Sequence, residues 1–149
     1  MQLKRFTDLG LRVLYYLSDK TDRPIAIAEI SEALQWSRNH IVKVARFMVQ
    51  QGWITAVRGR TGGLILSHAA KDYKLGDVVR ALEGEGRLID CEEPPCPFYG
   101  ACGLVPSLAR AQRAFYEELN RETLADAVAS AAMRETIIRL TPASARQNA

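Results

Sequence analysis

The chain has 149 residues, 48% of them apolar and 25% charged, and a formal net charge of +3. These values suit one compact domain, or a small domain with an oligomerisation element, and exclude an intrinsically disordered chain. No apolar run approaches the ~20 residues of a membrane span, and the opening MQLKRFTDLG lacks the apolar stretch of a signal peptide, so a cytoplasmic protein is expected.

Thr7, followed by Asp8, has the chemistry of an N-cap with a first-turn acid, and Leu9, Val13, Tyr16 and Leu17 recur behind it at helical spacing. After the polar break DKTDRP, Ile27, Ile30, Ala33 and Leu34 predict a short helix from Ala26 to Leu34. Ser37 predicts the N-cap of a third helix reaching about Gln51, with Ile41, Val44, Ala45, Met48 and Val49 inward. Gly52 then stands where a left-handed C-cap residue belongs. Two short helices, a tight turn and a longer basic helix make a helix-turn-helix. The run Trp53–Val57 and the run Leu64–Leu66 flank RGRTGG, a hairpin signature that would form a wing. Leu75, Val78, Val79 and Leu82 predict a fourth helix ending at Glu83.

The segment LIDCEEPPCPFYGACG at 88–103 holds three prolines and two glycines and predicts an irregular loop. Beyond it Leu104, Leu108, Ala111, Phe115 and Leu119 form a long apolar stripe, widened by Val105, Ala109 and Tyr116, with Pro106 in the first turn. The N-terminal unit is too small to cover that surface, so a second copy is the expected partner. A last helix is expected from Thr123 to about Leu140. The predicted fold class is mainly α with a small β-hairpin. The parts are a winged helix-turn-helix at 1–87, a cysteine-bearing loop at 88–103, a dimerisation helix and C-terminal helix at 104–140, and a disordered tail at 141–149.

Charge is unevenly spread. Residues 1–87 carry 14 Lys/Arg against 9 Asp/Glu, whereas 88–149 carry 6 against 8. Between Ala33 and Lys71 lie Arg38, Lys43, Arg46, Arg58, Arg60 and Lys71, with no acidic residue. Such one-sidedness is the footprint of a polyanion-binding face. A recognition helix needs polar side chains in its first turns, and here they are Ser37, Arg38, Asn39, His40 and Lys43. Arginine matches guanine and asparagine matches adenine in the major groove. Arg58 and Arg60 at the wing tip suit the minor groove, and Gly59, Gly62 and Gly63 suit a tight turn close to phosphates. Each feature alone reads equally well as a solvated face or an ordinary turn, but their coincidence points to double-stranded DNA. His40 is assigned to the DNA contact rather than to a metal, and His68 has no evident role.

Cys91, Cys96 and Cys102 are the only cysteines, an odd number packed into twelve residues. A secreted disulfide scaffold would spread an even number along the chain, so metal binding in a reducing compartment is the expectation. Thiolates select zinc, copper(I) or iron–sulfur clusters. Structural zinc favours paired C-x2-C knuckles, and the longer spacings here suit a cluster while leaving zinc open. Three thiolates leave one position of a four-ligand cluster to another group or another chain. An iron held so loosely is exposed to small molecules, as a sensor requires. No nucleotide loop and no nucleophile–base pair is present, so an enzyme is not expected.

Several segments together carry a resemblance: MQLKRFTDLGLRVLYYL, SRNHIVKV, AVRGRTGG, GDVVRALE, the three cysteines and TLADAV. From Met1 to about Val128 the chain resembles the winged-helix iron–sulfur regulators of bacteria and, within them, the nitric-oxide-sensing repressors of the NsrR type. The resemblance implies a homodimer built on the helix after Cys102, with a [4Fe–4S] cluster in each subunit on Cys91, Cys96 and Cys102. The fourth ligand would be an aspartate near the N-terminus of the other subunit, a position matched by Asp8. Asp8 also reads as a first-turn acid favoured by the helix dipole, and Asp90, Glu92 and Glu93 are rival carboxylates. The [2Fe–2S] relatives of the IscR type carry a histidine three residues after the third cysteine. Val105 stands there, which disfavours that ligation, although [2Fe–2S] is the alternative cluster. The implied function is a repressor that holds operator DNA with its cluster intact and releases it on nitrosylation. Alternatives are a sensor of iron, cluster supply or redox state on the same fold and, from another class, a zinc-bound structural or interaction protein.

Overall fold

The computed structural model describes residues 2–19, 23–84 and 86–142. Helix α1 spans Arg5–Ser18, starting before Thr7. Lys4 occupies the N-cap with no side-chain cap, and Thr7 lies inside the helix, fully buried, with its hydroxyl unpartnered. Packing overrides capping chemistry here. The Phe6 ring meets Phe47 edge-on at 5.5 Å, and that contact requires Phe6 to be helical. The predicted inward stripe Leu9, Val13, Tyr16 and Leu17 is buried.

Helix α2 runs Ile27–Leu34 and stops at Gln35, which adopts the left-handed conformation at φ 53°. Helix α3 runs Arg38–Gln50, capped by Ser37, whose side chain accepts from His40 N–H. Ile41, Val44, Ala45 and Met48 are buried as expected, but Val49 is exposed. Gly52 follows at φ 73°, as its C-cap role requires.

Strands β1 (Ile54–Val57) and β2 (Gly63–Leu66) pair antiparallel, with Ile54 opposite Leu66 and Val57 opposite Gly63. Ile25 bridges to Leu64 through two 2.8 Å hydrogen bonds and lays the chain before α2 against the wing. Gly62 and Gly63 are required by the fold itself. A Cβ on Gly63 would lie 2.4 Å from the Ile25 carbonyl, and one on Gly62 would lie 2.3 Å from Val57 O.

Helix α4 spans Leu75–Glu83, the predicted bounds. Helix α5 spans Leu104–Leu119, but only Tyr116 is buried in it. Val105, Leu108, Phe115 and Leu119 are half-buried, whereas Leu104, Ala109 and Ala111 are exposed, so the predicted apolar stripe is only partly covered within one chain. The predicted C-terminal helix is two helices. Helix α6 (Leu124–Ala127) opens with a Thr123–Asp126 capping box, and helix α7 (Ala131–Leu140) restarts where Ser130 accepts from Met133 N–H. Of the expected tail, Thr141 and Pro142 are buried, with Thr141 Oγ1 donating to Ile137 O at 3.2 Å. Positions 143–149 lie outside the described residues. Among the described residues no helix is long and apolar enough to cross a membrane.

An unpartnered buried hydroxyl is destabilising, and an apolar group of the same shape removes that penalty. Thr7→Val is therefore expected to raise the unfolding free energy by about 1 kcal/mol, read as a higher urea midpoint at unchanged slope. A lower midpoint would show that the hydroxyl has a partner in solution.

Candidate DNA interface and cysteine loop

Helix α3 is held from beneath by Ile41, Val44 and Met48, which are fully or almost fully buried, so its first turns point outward. Ser37, Arg38, Asn39, His40 and Lys43 are all exposed. Among the described residues Arg38, Asn39 and Lys43 make no ion pair or side-chain hydrogen bond, nor do Arg58 and Arg60 on the wing. Unpaired, exposed cations on two neighbouring elements are the chemistry that a phosphate backbone attracts. Arg46 belongs to the same exposed basic side, although nothing in its spacing distinguished it beforehand.

His40 is tied into the helix start. Its Nδ1 lies 2.6 Å from Ser37 Oγ, and its ring meets Trp36 edge-on at 5.9 Å. Arg5, Asp8, Leu11, Trp36, Ser37 and His40 line one cleft of about 720 Å³. Asp8 thus shares a cavity with the first turn of the recognition helix, a neighbourhood that spacing alone does not reveal. Its carboxylate accepts from Arg12 Nε at 2.8 Å, and both side chains are about half exposed.

The cysteine loop joins α4 to α5. All three cysteines are free, Cys91 buried and the other two half-buried. Cys96 N–H donates to Cys91 O at 3.1 Å, and Tyr99 N–H donates to Cys96 O at 3.1 Å, so a backbone turn brings Cys96 back beside Cys91. Burial pushes the Cys91 thiol up, and the nearby Cys96 and Cys102 push it further. Asp90 Oδ1 accepts from Glu92 N–H at 2.8 Å and from Glu93 N–H at 3.3 Å, which holds its carboxyl below the usual range. That oxygen is already engaged in shaping the loop, and Glu92 faces Arg87 at 3.9 Å. Phe98 and Tyr99 stand out from the loop, 69% and 63% exposed.

The donor chemistry fits a thiophilic metal or cluster: three free thiols lie on a loop without regular structure. Among the described residues no group of three or more Cys, His, Asp or Glu is already gathered in metal-binding geometry. Binding would require the loop to close and the thiols to lose their protons.

Arg38→Ala is expected to weaken operator binding about tenfold or more while sparing non-specific DNA, since a good arginine–guanine pair discriminates by ~1–3 kcal/mol. Lys43→Ala is expected to weaken all duplexes alike and to reduce the salt slope by about 1. Salt-dependent anisotropy titrations on operator and scrambled DNA distinguish the two roles. Equal losses on both duplexes for Arg38→Ala would remove it from base readout.

Residues 3–130 match the Rrf2 family, whose description is "Iron-dependent Transcriptional regulator". Solved structures share the fold. CymR, the global cysteine regulator of B. subtilis, is 21% identical with a TM-score of 0.70, over 87% of this chain and 97% of that one. IscR of T. potens is 22% identical with a TM-score of 0.68, over 89% and 90%. CymR of Staphylococcus aureus is 25% identical with a TM-score of 0.63, over 81% and 93%. With a basic recognition helix, a two-stranded wing and a family match that runs through the cysteine loop, the chain belongs to the Rrf2 family of transcriptional regulators.

Proposed function

We propose that the protein is a nitric-oxide-sensing repressor that binds operator DNA as a homodimer through α5 and carries one [4Fe–4S] cluster per subunit. The observation that carries this reading is the set of three free thiols between α4 and α5, one thiolate short of a four-ligand site. Cys91, Cys96 and Cys102 would hold the cluster, with Asp8 of the partner subunit as the fourth ligand. The choice of nitric oxide rests on the motif set and on Val105 at the position where the IscR pattern has histidine.

When bound, the cluster supplies an iron that a diatomic gas attacks. The remaining steps belong to the chain. Two recognition helices held about one duplex turn apart (~34–36 Å) read a near-palindromic operator. Asp8, engaged across the dimer, restrains the wall of the cleft that also holds Ser37 and His40. Within its own chain Asp8 pairs with Arg12 at 2.8 Å. An exposed pair of this kind is worth only ~0–1 kcal/mol, so Asp8 would give it up to serve as a ligand. Without that restraint the recognition helices would lose their fixed separation and release the operator.

A second reading, a sensor of iron, cluster supply or redox state, is favoured by the iron-dependence in the family's description. Anaerobic titration separates the two. Nitric oxide is expected to bleach the visible absorbance and to weaken operator binding by about 100-fold, with both changes complete at the same stoichiometry. Asp8→Ala is expected to alter the stability or gas response of that absorbance. Binding that survives full reaction with nitric oxide but fails on chelation or oxidation would establish the second reading.

A further inference from the structure

Helix α4 lacks its own N-terminal cap, because the side chain of Lys74 caps nothing. The first backbone N–H groups of a helix need acceptors, and here these come from the far side of the cysteine loop. Leu75 N–H donates to Glu122 O at 3.1 Å, and Asp77 N–H donates to Asn120 Oδ1 at 3.0 Å. Asn120 Nδ2 donates in return to Asp77 Oδ1 at 2.9 Å. Leu124 N–H donates to Tyr73 O at 2.9 Å, closing the turn after α5 onto the residue before α4. The packing is equally tight, since a Cβ on Gly76 would lie 2.1 Å from Tyr116 O in α5.

The other end of α4 is fastened to α1. Lys4 N–H donates to Glu83 Oε1 at 2.8 Å, and Lys4 Nζ donates to Glu83 O, a carbonyl of the last turn. Gly10 leaves room for Leu82, whose Cδ1 would be 2.8 Å from any Cβ there. Helix α1 in turn touches α3 through Phe6 and Phe47. From the end of α5 to the recognition helix, every joint is a hydrogen bond or a close contact.

We infer that α4 is the rigid link through which the position of α5 sets that of α3, and that Asn120 is the positioning residue at the joint between the start of α4 and the end of α5. The use of this link in sensing rests on the proposed function, whereas the link itself belongs to the fold. The test is hydrogen exchange followed by mass spectrometry on the full chain without DNA. Asn120→Ala is expected to speed exchange in peptides of α1 and α3 by about fivefold, the equivalent of one net hydrogen bond, although no hydrogen bond joins either helix to the Asn120 side chain among the described residues. The exchange of partners, Asp77→Asn with Asn120→Asp, keeps the backbone N–H bond to the side chain at 120, re-forms the side-chain bond with donor and acceptor reversed, and is expected to restore the wild-type rates. Gly76→Ala, which must push Tyr116 O away, is expected to reproduce the fast pattern. Acceleration confined to residues 73–77 and 116–124, or a swapped variant as fast as Asn120→Ala, would overturn the inference. Linked exchange in a protein whose operator binding ignores the cluster would support the link and sink the sensor reading instead.

Discussion

The burial of α1 governs the rest of the molecule. Leu9, Val13, Leu14, Tyr16 and Leu17 are each 1% exposed or less, and α2, α3, the wing and α4 are arranged around that one helix. Each fully buried aliphatic side chain contributes ~1.5–3 kcal/mol, so four of them outweigh any surface ion pair several times over. The direction of the recognition helix is therefore fixed by apolar packing. A buried polar group reinforces it: Tyr16 donates to Glu29 Oε1 at 3.0 Å, while Arg23 grips the Glu29 carboxylate with two hydrogen bonds of 2.9 and 3.0 Å. Because the core does the holding, the exposed Asp8–Arg12 pair can exchange partners without endangering the fold.

The molecule thus separates permanent from adjustable contacts. The permanent ones are the α1 core and the two ends of α4. The adjustable ones face solvent: the cations of α3 and the wing, the Asp8 side of the cleft, and a cysteine loop held by single backbone hydrogen bonds. A regulator needs this division, since an equilibrium can be shifted only where the two states differ by a few kcal/mol. A loosely held cysteine loop beside a firmly packed helix-turn-helix meets that condition. Leu104, at the start of α5, is exposed.

Much of this was legible in the residues. The bounds of α4, the cap at Ser37, the left-handed Gly52 and the wing register follow from local periodicity and turn chemistry, which act over a few residues. The failures share a cause, in that distant contacts decided them. Helix α1 begins ahead of Thr7, with Phe6 packed on Phe47, and the room at Gly62 and Gly63 is limited by Val57 and Ile25. The break between α6 and α7 depends on Ser130 offering a fresh cap, a local signal outweighed in the sequence by the continuous helical pattern around it. The uneven covering of the α5 stripe cannot be seen in the spacing, because one apolar stripe does not say which neighbour covers it. At the site, the cation set and the cysteine cluster are plain in the sequence, but the cleft that brings Asp8 beside Ser37 and His40 exists only in three dimensions. The cap that Asn120 lends to α4 was equally invisible, since 43 residues separate the partners.

Native mass spectrometry of the anaerobically purified dimer addresses the central claim most directly, because it counts metal and sulfide without presupposing a signal. The account predicts a dimer carrying the mass of four irons and four sulfides per subunit, and loss of that mass when any one of Cys91, Cys96 and Cys102 is replaced by serine. A dimer carrying only zinc under those conditions, or a cluster retained in full after all three replacements, would contradict it.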